Sequence, residues 1–221
     1  MSMRSFPARS GLLLLVGAAF VAALLAACGS ARGPGAGVSA TAAPIDVPAA
    51  TAPVLGERET AYEPPRPAPD LRLTDQDGRL FDLASLRGKP VLVYFGYTHC
   101  PDVCPTTLSD IRDALRLVDE PVGVIFVTVD PARDDAPAMK QYVDYYRSGF
   151  VGLTGSEAEI AAAADAWGVS YAKLDSSSAS GYAMAHSTDT YLVDGEGMLR
   201  HHLFFGASPE LIAEKIDQIA R

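Results

Sequence analysis

Residues 91–105, V-L-V-Y-F-G-Y-T-H-C-P-D-V-C-P, carry the pattern from which the fold and the chemistry of this chain are predicted. The run from Val91 to Tyr97 is almost continuously apolar, which is typical of a strand buried on both faces of a parallel sheet. Pro105 disfavours the α region for Cys104 and has no backbone donor, so we expect the next helix to begin there with proline in its first turn. Cys100 and Cys104 are therefore predicted to lie at a strand-to-helix junction.

The start of a helix is a setting that favours thiolate. An apolar stripe at helical spacing follows the second cysteine and predicts one helix face directed at a core, formed by Leu108, Ile111, Leu115 and Val118. Unpaired backbone N–H groups and the helix dipole stabilise negative charge at the first turn, which lowers the pKa of a thiol there. Thiolate is the form that attacks disulfides and binds metals. Both kinds of chemistry are therefore open to this pair.

Composition restricts the class of partner. The chain has 221 residues, enough for one sizeable domain with appendages, and a formal net charge of -9, with 27 acidic and 18 basic residues. The sequence has no basic cluster, so nucleic acid is not an expected partner. Its three cysteines are too few for a disulfide scaffold.

The amino-terminal segment accounts for the third cysteine. Two arginines precede an uncharged apolar run, residues 11–27, in the layout of a secretory signal. Leu25-Ala26-Ala27-Cys28 resembles a bacterial lipoprotein signal, so we expect residues 1–27 to be a signal peptide and Cys28 to carry lipid. An uncleaved membrane anchor is the alternative, although the run is marginal for spanning a bilayer. Both place the remainder of the chain outside the cytoplasm, tethered to a membrane, where a thiol pair tends to oxidise.

The rest of the chain divides into a tether and one folded unit. Residues 28–70 are rich in proline, alanine and glycine and poor in large apolar side chains, so they are predicted to form an extended, lipid-anchored tether. The folded unit is predicted to span residues 71–221. It opens with an N-terminal hairpin over residues 71–83, indicated by Asp77-Gly78 between short alternating segments.

Strand and helix patterns alternate through the folded unit. A second apolar run at residues 122–129 predicts another buried strand, residues 171–174 predict a short strand, and residues 175–181 predict a flexible loop. Residues 190–193 and 198–205 predict an antiparallel hairpin at a sheet edge. Helices are predicted from Pro137, from Ser156 through Trp167, and from Ser208. This order indicates an α/β fold, a central mixed sheet flanked by helices.

Two cysteines on one short loop offer two soft sulfur ligands, which suit Cu(I) best among the common metals. A third ligand must come from elsewhere, and the histidines are the natural candidates. His186 lies in A-H-S-T-D-T-Y-L-V-D, where the chain that enters the hairpin could fold back over the thiols. His99 adjoins Cys100 and is expected to tune the thiol or to face solvent. His201 and His202 lie on the predicted edge strand, where one of them should face outward.

Three separated motifs resemble the Sco/SenC family of copper-delivery proteins. They are F-G-Y-T-H-C-P-D-V-C-P at residues 95–105, V-T-V-D-P-A-R-D-D at residues 127–135, and His186 with S-T-D-T-Y-L-V-D behind it. The resemblance spans residues 71–221. It implies a thioredoxin-like fold in a membrane-anchored protein that helps to load copper into the CuA centre of cytochrome c oxidase. The implied partners are the CuA-bearing subunit and a copper donor protein.

Carried over position by position, the resemblance implies copper ligands at Cys100, Cys104 and His186, and it implies binding of Cu(I) and also of Cu(II) with an added weak ligand. The sequence departs from the family in two places. The loop before His186, residues 175–184, is poor in acids where many relatives are rich in them, which puts partner docking through this loop in doubt. The amino-terminal anchor resembles a lipoprotein signal, whereas several relatives keep a transmembrane helix.

Three further residues are candidates for shaping the site without binding the metal. Asp130 and Arg133 match the D-P-x-R-D string of the family, which lies near the site, and a structural ion pair or turn cap is expected for both. His99 is the third, because it belongs to the same turn as the first cysteine.

Two functions of different class remain open. One is a copper chaperone, a binding protein without turnover. The other is a thiol-disulfide oxidoreductase that reduces the cysteines of the oxidase subunit, with Cys100 and Cys104 as its catalytic redox disulfide. Two features argue against reduction as the sole role. The spacing is Cys-x-x-x-Cys where thioredoxin-type enzymes have Cys-x-x-Cys, and Thr188 stands where those enzymes share a cis-proline. A purely structural disulfide would close a very short loop and so stabilise the fold little.

Overall fold

A computed structural model describes residues 58–147, 149–178 and 181–220 of this chain. The predicted signal peptide, the lipidation site at Cys28 and most of the predicted tether lie outside these residues. Within them, no helix combines the length and the apolar character that crossing a bilayer requires.

The described residues form ten strands, four α-helices and one short 3-10 helix at Leu83–Leu86. The strands are β1 Glu59–Pro67, β2 Arg72–Asp75, β3 Leu80–Asp82, β4 Val91–Gly96, β5 Gly123–Thr128, β6 Val151–Thr154, β7 Tyr171–Ser178, β8 Gly181–His186, β9 Thr190–Val193 and β10 Met198–Leu203. The helices are α1 Val103–Ala114, α2 Ala136–Tyr146, α3 Glu157–Trp167 and α4 Pro209–Ile219.

Eight strands form one mixed sheet in the order β1-β10-β9-β4-β5-β6-β2-β3. β4, β5 and β6 are parallel, and the remaining neighbours are antiparallel. Every residue of β4 and β5 is buried, as the two continuous apolar runs predicted. The predicted α/β fold with a central mixed sheet is therefore confirmed.

Helices cover both faces of the sheet. The ring of Tyr94 stacks on Phe126, which in turn contacts Tyr142 of α2, whereas Phe95 on the opposite face contacts Trp167 of α3. Successive side chains of a strand point to opposite faces, so α2 and α3 lie on different sides. α1 contacts α2 and α4. The carboxyl end of β4 and the start of α1 therefore meet on the face that Tyr94 occupies.

Local signals in the sequence fix most element boundaries correctly. Asp77-Gly78 forms the turn of the β2–β3 hairpin, with Gly78 at φ 77°. Ser156 and Glu159 form the predicted capping box of α3, because the serine oxygen accepts from the amide of Glu159 and the glutamate accepts from the amide of Ser156. Ser208 caps α4 in the same way through its side-chain oxygen.

The amino-terminal boundary and the predicted sheet edge were wrong. The sheet begins at Glu59, upstream of the predicted boundary at Leu71, because β1 pairs with β10 and becomes the edge in its place. The prolines of β1 indicated a tether, yet an edge strand tolerates proline because one row of its amides needs no partner in the sheet. Glu59 also accepts from His201 Nδ1 at 2.7 Å and pairs with Lys215 at 3.1 Å.

Besides β1, the strands β6 and β8 had no prediction. Residues 171–174 predicted the first half of β7, whereas residues 175–181, expected to be a flexible loop, belong largely to the β7–β8 hairpin. This hairpin forms a separate two-stranded sheet in which Tyr171 pairs with His186. The polar, serine-rich residues 175–178 give no apolar alternation that would extend the predicted strand.

Removing β1 should destabilise the fold. A chain that starts at Leu71 leaves β10 without a backbone partner and His201, only 7% exposed, without Glu59. We expect its free energy of unfolding to be lower by about 2–5 kcal/mol than that of a chain starting at Ala49, since a buried polar group then loses its partner. Urea denaturation followed by circular dichroism measures the difference. Equal midpoints would contradict the role given to β1.

Candidate metal centre

The two cysteines lie on the corner between β4 and α1, as the sequence predicted. The Cys100 amide donates to the carbonyl of Tyr97 at 3.3 Å, which closes the turn after the strand. The Cys104 amide, in the first turn of α1, donates to Cys100 Sγ at 3.4 Å. An otherwise unpaired donor of the helix start is therefore directed at a sulfur, where it stabilises thiolate.

The structure brings His186 to these sulfurs from a distant part of the sequence. Cys100, Cys104 and His186 each offer a donor atom, and the three atoms lie within 4.8 Å of one another. Cys104 Sγ is 3.3 Å from His186 Nε2. Cys104 is fully buried, whereas the other two side chains are partly exposed. The cluster is consequently closed at the bottom and reachable from one side.

The orientation of His186 is fixed by its neighbours. Its Nδ1 lies 2.7 Å from the carbonyl of Ser187, so the proton is assigned to Nδ1 and the lone pair of Nε2 is directed at the sulfur. Three hydrogen bonds join Ser187 to Ser170, and they hold the end of β8 against the segment before β7. The imidazole is edge-on to the rings of Tyr97 and Tyr94, with centroids 5.7 and 6.4 Å away.

The two thiols differ in acidity. A hydrogen bond from the Cys104 thiol lowers the pKa of Cys100 well below its usual range. The same hydrogen bond raises the pKa of Cys104, and burial adds to this rise. The pair therefore holds one negative charge on the more exposed sulfur and one proton on the buried sulfur.

Asp130 and Arg133 lie outside the cluster and hold the strand that ends at His186. The two side chains form the ion pair that the sequence led us to expect. Arg133 donates to the carbonyl of Tyr182 at 2.9 Å, its guanidinium lies 3.7 Å from the centroid of the Tyr182 ring, and the Tyr182 hydroxyl donates to Asp130 at 2.6 Å. We call this set, Asp130, Arg133 and Tyr182, the hairpin clamp. It joins the segment after β5 to β8.

A second carboxylate of the same segment holds the cysteine loop, and the sequence analysis did not single it out. Asp134 is fully buried and accepts from the Thr98 amide at 2.9 Å, the Thr98 hydroxyl at 2.6 Å and the Thr128 hydroxyl at 2.6 Å. His99 Nδ1 lies 3.5 Å from Asp134, and its side chain is 51% exposed. His99 is therefore placed on the outer side of the loop and does not join the sulfur cluster. The two adjacent aspartates, Asp134 and Asp135, are visible in the sequence, but the sequence does not tell which of them is buried.

Gly96 makes room for the buried sulfur. A Cβ at this position would lie 2.8 Å from Cys104 Sγ and 2.8 Å from a carbon of the Phe126 ring. A glycine at the end of an apolar strand indicates such a close approach, and the sequence analysis did not use this signal.

The other histidines stay apart from the cluster. His201 pairs with Glu59, and His202 Nε2 lies 3.0 Å from Asp189 while its ring stacks on Tyr191. The expected edge position of their strand was wrong, because β1 pairs with β10; His201 is buried and His202 is partly exposed.

Comparisons with known proteins agree with this fold and site. The profile of the SCO1/SenC family matches residues 59–221. An SCO2-like protein of Rickettsia felis is 35% identical over 149 residues, which cover 66% of this chain and 73% of that protein. The copper-bound structure of Bradyrhizobium japonicum ScoI is 38% identical, with a TM-score of 0.61 over 68% of this chain and 97% of that one.

A third likeness is to copper-bound yeast Sco1, which is 28% identical, with a TM-score of 0.64 over 70% of this chain and 88% of that one. These structural neighbours confirm the thioredoxin-like fold predicted from the sequence. The family profile also begins at Glu59, the first residue of β1.

Filling the space at Gly96 should disturb the sulfur. We expect Gly96→Ala to lower the free energy of unfolding by about 1–3 kcal/mol through overpacking and to weaken metal binding, because Cys104 Sγ must move. Gly152→Ala is the matched control, since its Cβ would crowd Met139 and Val143 of α2 instead. Urea denaturation and metal titration of both variants measure the two effects. Equal loss of metal affinity in both would refute a local effect on the sulfur.

Loosening the hairpin clamp should weaken metal binding without removing a donor. Tyr182→Phe deletes the hydrogen bond to Asp130 and leaves the ring under Arg133. We expect metal affinity to fall about tenfold, since the position of His186 becomes less fixed. Arg72→Lys, at an exposed ion pair with Asp82, serves as the control. Unchanged affinity in Tyr182→Phe would show that the clamp does not act on the site.

Proposed function

The chain belongs to the SCO1/SenC family, and we propose that it is an extracytoplasmic copper chaperone that helps to assemble the CuA centre of cytochrome c oxidase. Cys100, Cys104 and His186 are the proposed ligands. The observation that carries this proposal is the convergence of two sulfurs and one imidazole nitrogen within 4.8 Å. This donor set suits Cu(I), because thiolates are soft ligands and imidazole also binds copper well.

The burial of the three donors supports delivery rather than storage. Cys104 is fully buried and held in α1, so it can retain copper, whereas Cys100 is partly exposed and can be displaced first. An incoming ligand of a partner can approach the open side while the buried sulfur and the imidazole still hold the ion. Release then proceeds by ligand exchange and does not require the fold to open.

Copper binding to this site releases a proton. Copper must replace the proton on Cys104, whose pKa is raised by its hydrogen bond to Cys100 and by burial. The Cys100 sulfur is already the more acidic of the two and needs less driving force to bind. Capture of Cu(I) is therefore accompanied by release of the buried proton.

The proposed setting is the outer face of a bacterial membrane. Lipid on Cys28 and the tether that follows would let the domain reach both a copper donor protein and the CuA-bearing subunit of the oxidase. This part of the proposal rests on the signal-like sequence, with its two arginines, apolar run and L-A-A-C string.

Thiol-disulfide exchange is the second candidate function. It is favoured by the two free thiols and by the lowered pKa of the more exposed one, which is the arrangement of an attacking thiolate with a second cysteine behind it. Such an enzyme would reduce the cysteines of the oxidase subunit so that copper can enter. It requires both sulfurs and depends much less on the imidazole.

Substitution of the proposed ligands separates the two functions. We expect Cys100→Ser, Cys104→Ser and His186→Ala each to lower Cu(I) affinity by more than about a hundredfold, beyond the loss typical of an outer partner. The fold should survive, because these groups form little of the core. Competition with a chromophoric Cu(I) chelator under reducing conditions measures affinity, and circular dichroism checks the fold.

His99→Ala is the matched control, because His99 adjoins Cys100 and its side chain is 51% exposed. It should leave Cu(I) affinity within a few-fold of wild type. Full Cu(I) affinity in His186→Ala would refute the three-ligand site. If the His186→Ala variant reduced oxidised cysteines at the wild-type rate in the absence of copper, this result would favour the reductase.

A further inference from the structure

A small groove, with an enclosed volume of about 10 Å³, lies among α1, the β9–β10 hairpin and the start of α4. It is lined by residues that include Thr107, Asp110, Thr188, Phe204, Phe205 and Ile212, and we call it the Phe groove. Thr107 lies one helical turn beyond Cys104 on α1, and Thr188 lies two residues beyond His186. The Phe groove is therefore built partly from the same two segments that carry the buried sulfur and the imidazole.

The floor of the Phe groove is aromatic and firmly held. Phe204 and Phe205 are consecutive, and 38% and 39% of their surfaces are exposed. The Phe204 amide donates to the carbonyl of Arg58 at 2.7 Å, and the Arg58 guanidinium donates to the carbonyl of Phe205. The ring of Phe204 also packs on His202, with centroids 5.0 Å apart. The backbone of both residues and the ring of Phe204 are thus held by specific contacts, and two neighbouring, partly exposed aromatic side chains are typical of a surface that binds a partner.

The rim of the Phe groove is acidic at Asp110 and Glu210, and the Arg58 guanidinium, which donates to the carbonyl of Phe205, pairs with neither of these acids in the part of the chain that the structure describes. Within the residues that the structure describes, the half-buried carboxylate of Asp110 forms no hydrogen bond or ion pair, and the same holds for the exposed carboxylate of Glu210. Burial raises the pKa of Asp110, and the charges of Asp113 and Glu210 raise it further. A positive group brought to this rim would relieve that repulsion.

We propose that the Phe groove is the docking surface for the protein with which this chain exchanges copper, and that the partner places there a segment carrying apolar side chains and lysine or arginine. The proposal rests on the proposed function, because it assigns the groove to a copper-exchange partner. Apolar side chains would cover Phe204 and Phe205, and the cation would pair with Asp110 and Glu210. Docking here would engage α1 and the segment after β8, the two segments that also carry Cys104 and His186.

Charge disfavours the other occupants of such a surface. The chain carries a net charge of -9, so a second copy would bring further negative charge to an acidic rim. An anionic lipid surface would be repelled for the same reason. A basic, partly apolar protein segment satisfies both the floor and the rim.

The test uses a synthetic peptide of alternating lysine and leucine as the probe, with a glutamate-leucine peptide of equal length as its control. Each is titrated into the metal-free, isotope-labelled full chain and followed by NMR. We expect the lysine peptide to shift the backbone amides of Phe204, Phe205 and Asp110, and the glutamate peptide to leave them unmoved.

Variants identify the contacts. The double variant Phe204→Ser/Phe205→Ser should weaken binding of the lysine peptide about tenfold or more, as expected for aromatic anchors. Asp110→Asn should weaken it several-fold and reduce its dependence on salt. Leu80→Ser, at a leucine that is 80% exposed on the β2–β3 hairpin, and Glu120→Gln, at an exposed acid, are controls that should change nothing. If the double variant fails to fold, Asp110→Asn alone decides the test.

Several results would overturn the proposal: absence of binding, shifts that map elsewhere, equal binding of the glutamate peptide, or variants without effect. Self-association in analytical ultracentrifugation that the double variant abolishes would assign the Phe groove to a second copy instead. Binding to anionic vesicles that the double variant abolishes would assign it to lipid. Cu(I) titration of the same variants should match wild type. A wild-type chain that binds the peptide and no Cu(I) would refute the proposed function and leave the groove result standing.

Discussion

The contact of 3.3 Å between Cys104 Sγ and His186 Nε2 is the constraint on which the rest of the structure depends. The two residues are 82 positions apart in the sequence, so the fold must fix two independent segments to bring a buried sulfur and an imidazole together. β4 and α1 fix the first segment, since the strand is buried throughout and the helix begins directly after the first cysteine. The β7–β8 hairpin fixes the second, and it lies outside the main sheet. The site therefore has two parts. The cysteines lie on a rigid strand-helix corner, whereas His186 lies on a hairpin whose position depends on other contacts.

One short segment after β5 holds both halves. Asp134 binds the backbone and the hydroxyl of Thr98 in the cysteine loop, while Arg133 and Asp130 bind Tyr182 in the hairpin. Asp134 is fully buried, and its three hydrogen bonds compensate for the loss of water around its carboxylate. Because the two anchors lie within one turn of chain, a shift of this segment would move the sulfurs and the imidazole together. The distance between the sulfurs and the imidazole is therefore less sensitive to such a shift than the position of either group.

The sequence predicted those features that local patterns encode. Continuous apolar runs gave β4 and β5, serine and glutamate gave the start of α3, and the three motifs gave the cluster of Cys100, Cys104 and His186. Features that depend on contacts far apart in the chain were missed. The prolines of β1 indicate a tether until β10 is known to need an edge partner, and the serine-rich residues 175–178 of β7 give no apolar pattern that would extend the predicted strand. Asp134 and Gly96 belong to recognised strings, yet only the packed fold shows that one is buried and the other leaves space for a sulfur.

The unequal burial of the two sulfurs decides what the site can do. In copper binding, the ion supplies the positive charge that replaces the proton of Cys104, and the nearby imidazole completes the set of donors. In disulfide exchange, no such charge arrives, so Cys104 has to lose its proton in a buried position after Cys100 has formed the mixed disulfide. Burial is the cause of the raised pKa of Cys104 that persists after Cys100 has formed the mixed disulfide, so burial opposes the second half of a reductase cycle more than it opposes metal capture. The imidazole also favours metal binding over disulfide exchange. Its Nε2 lone pair is a donor for a metal, whereas it adds little to the attack of the Cys100 thiolate on a disulfide.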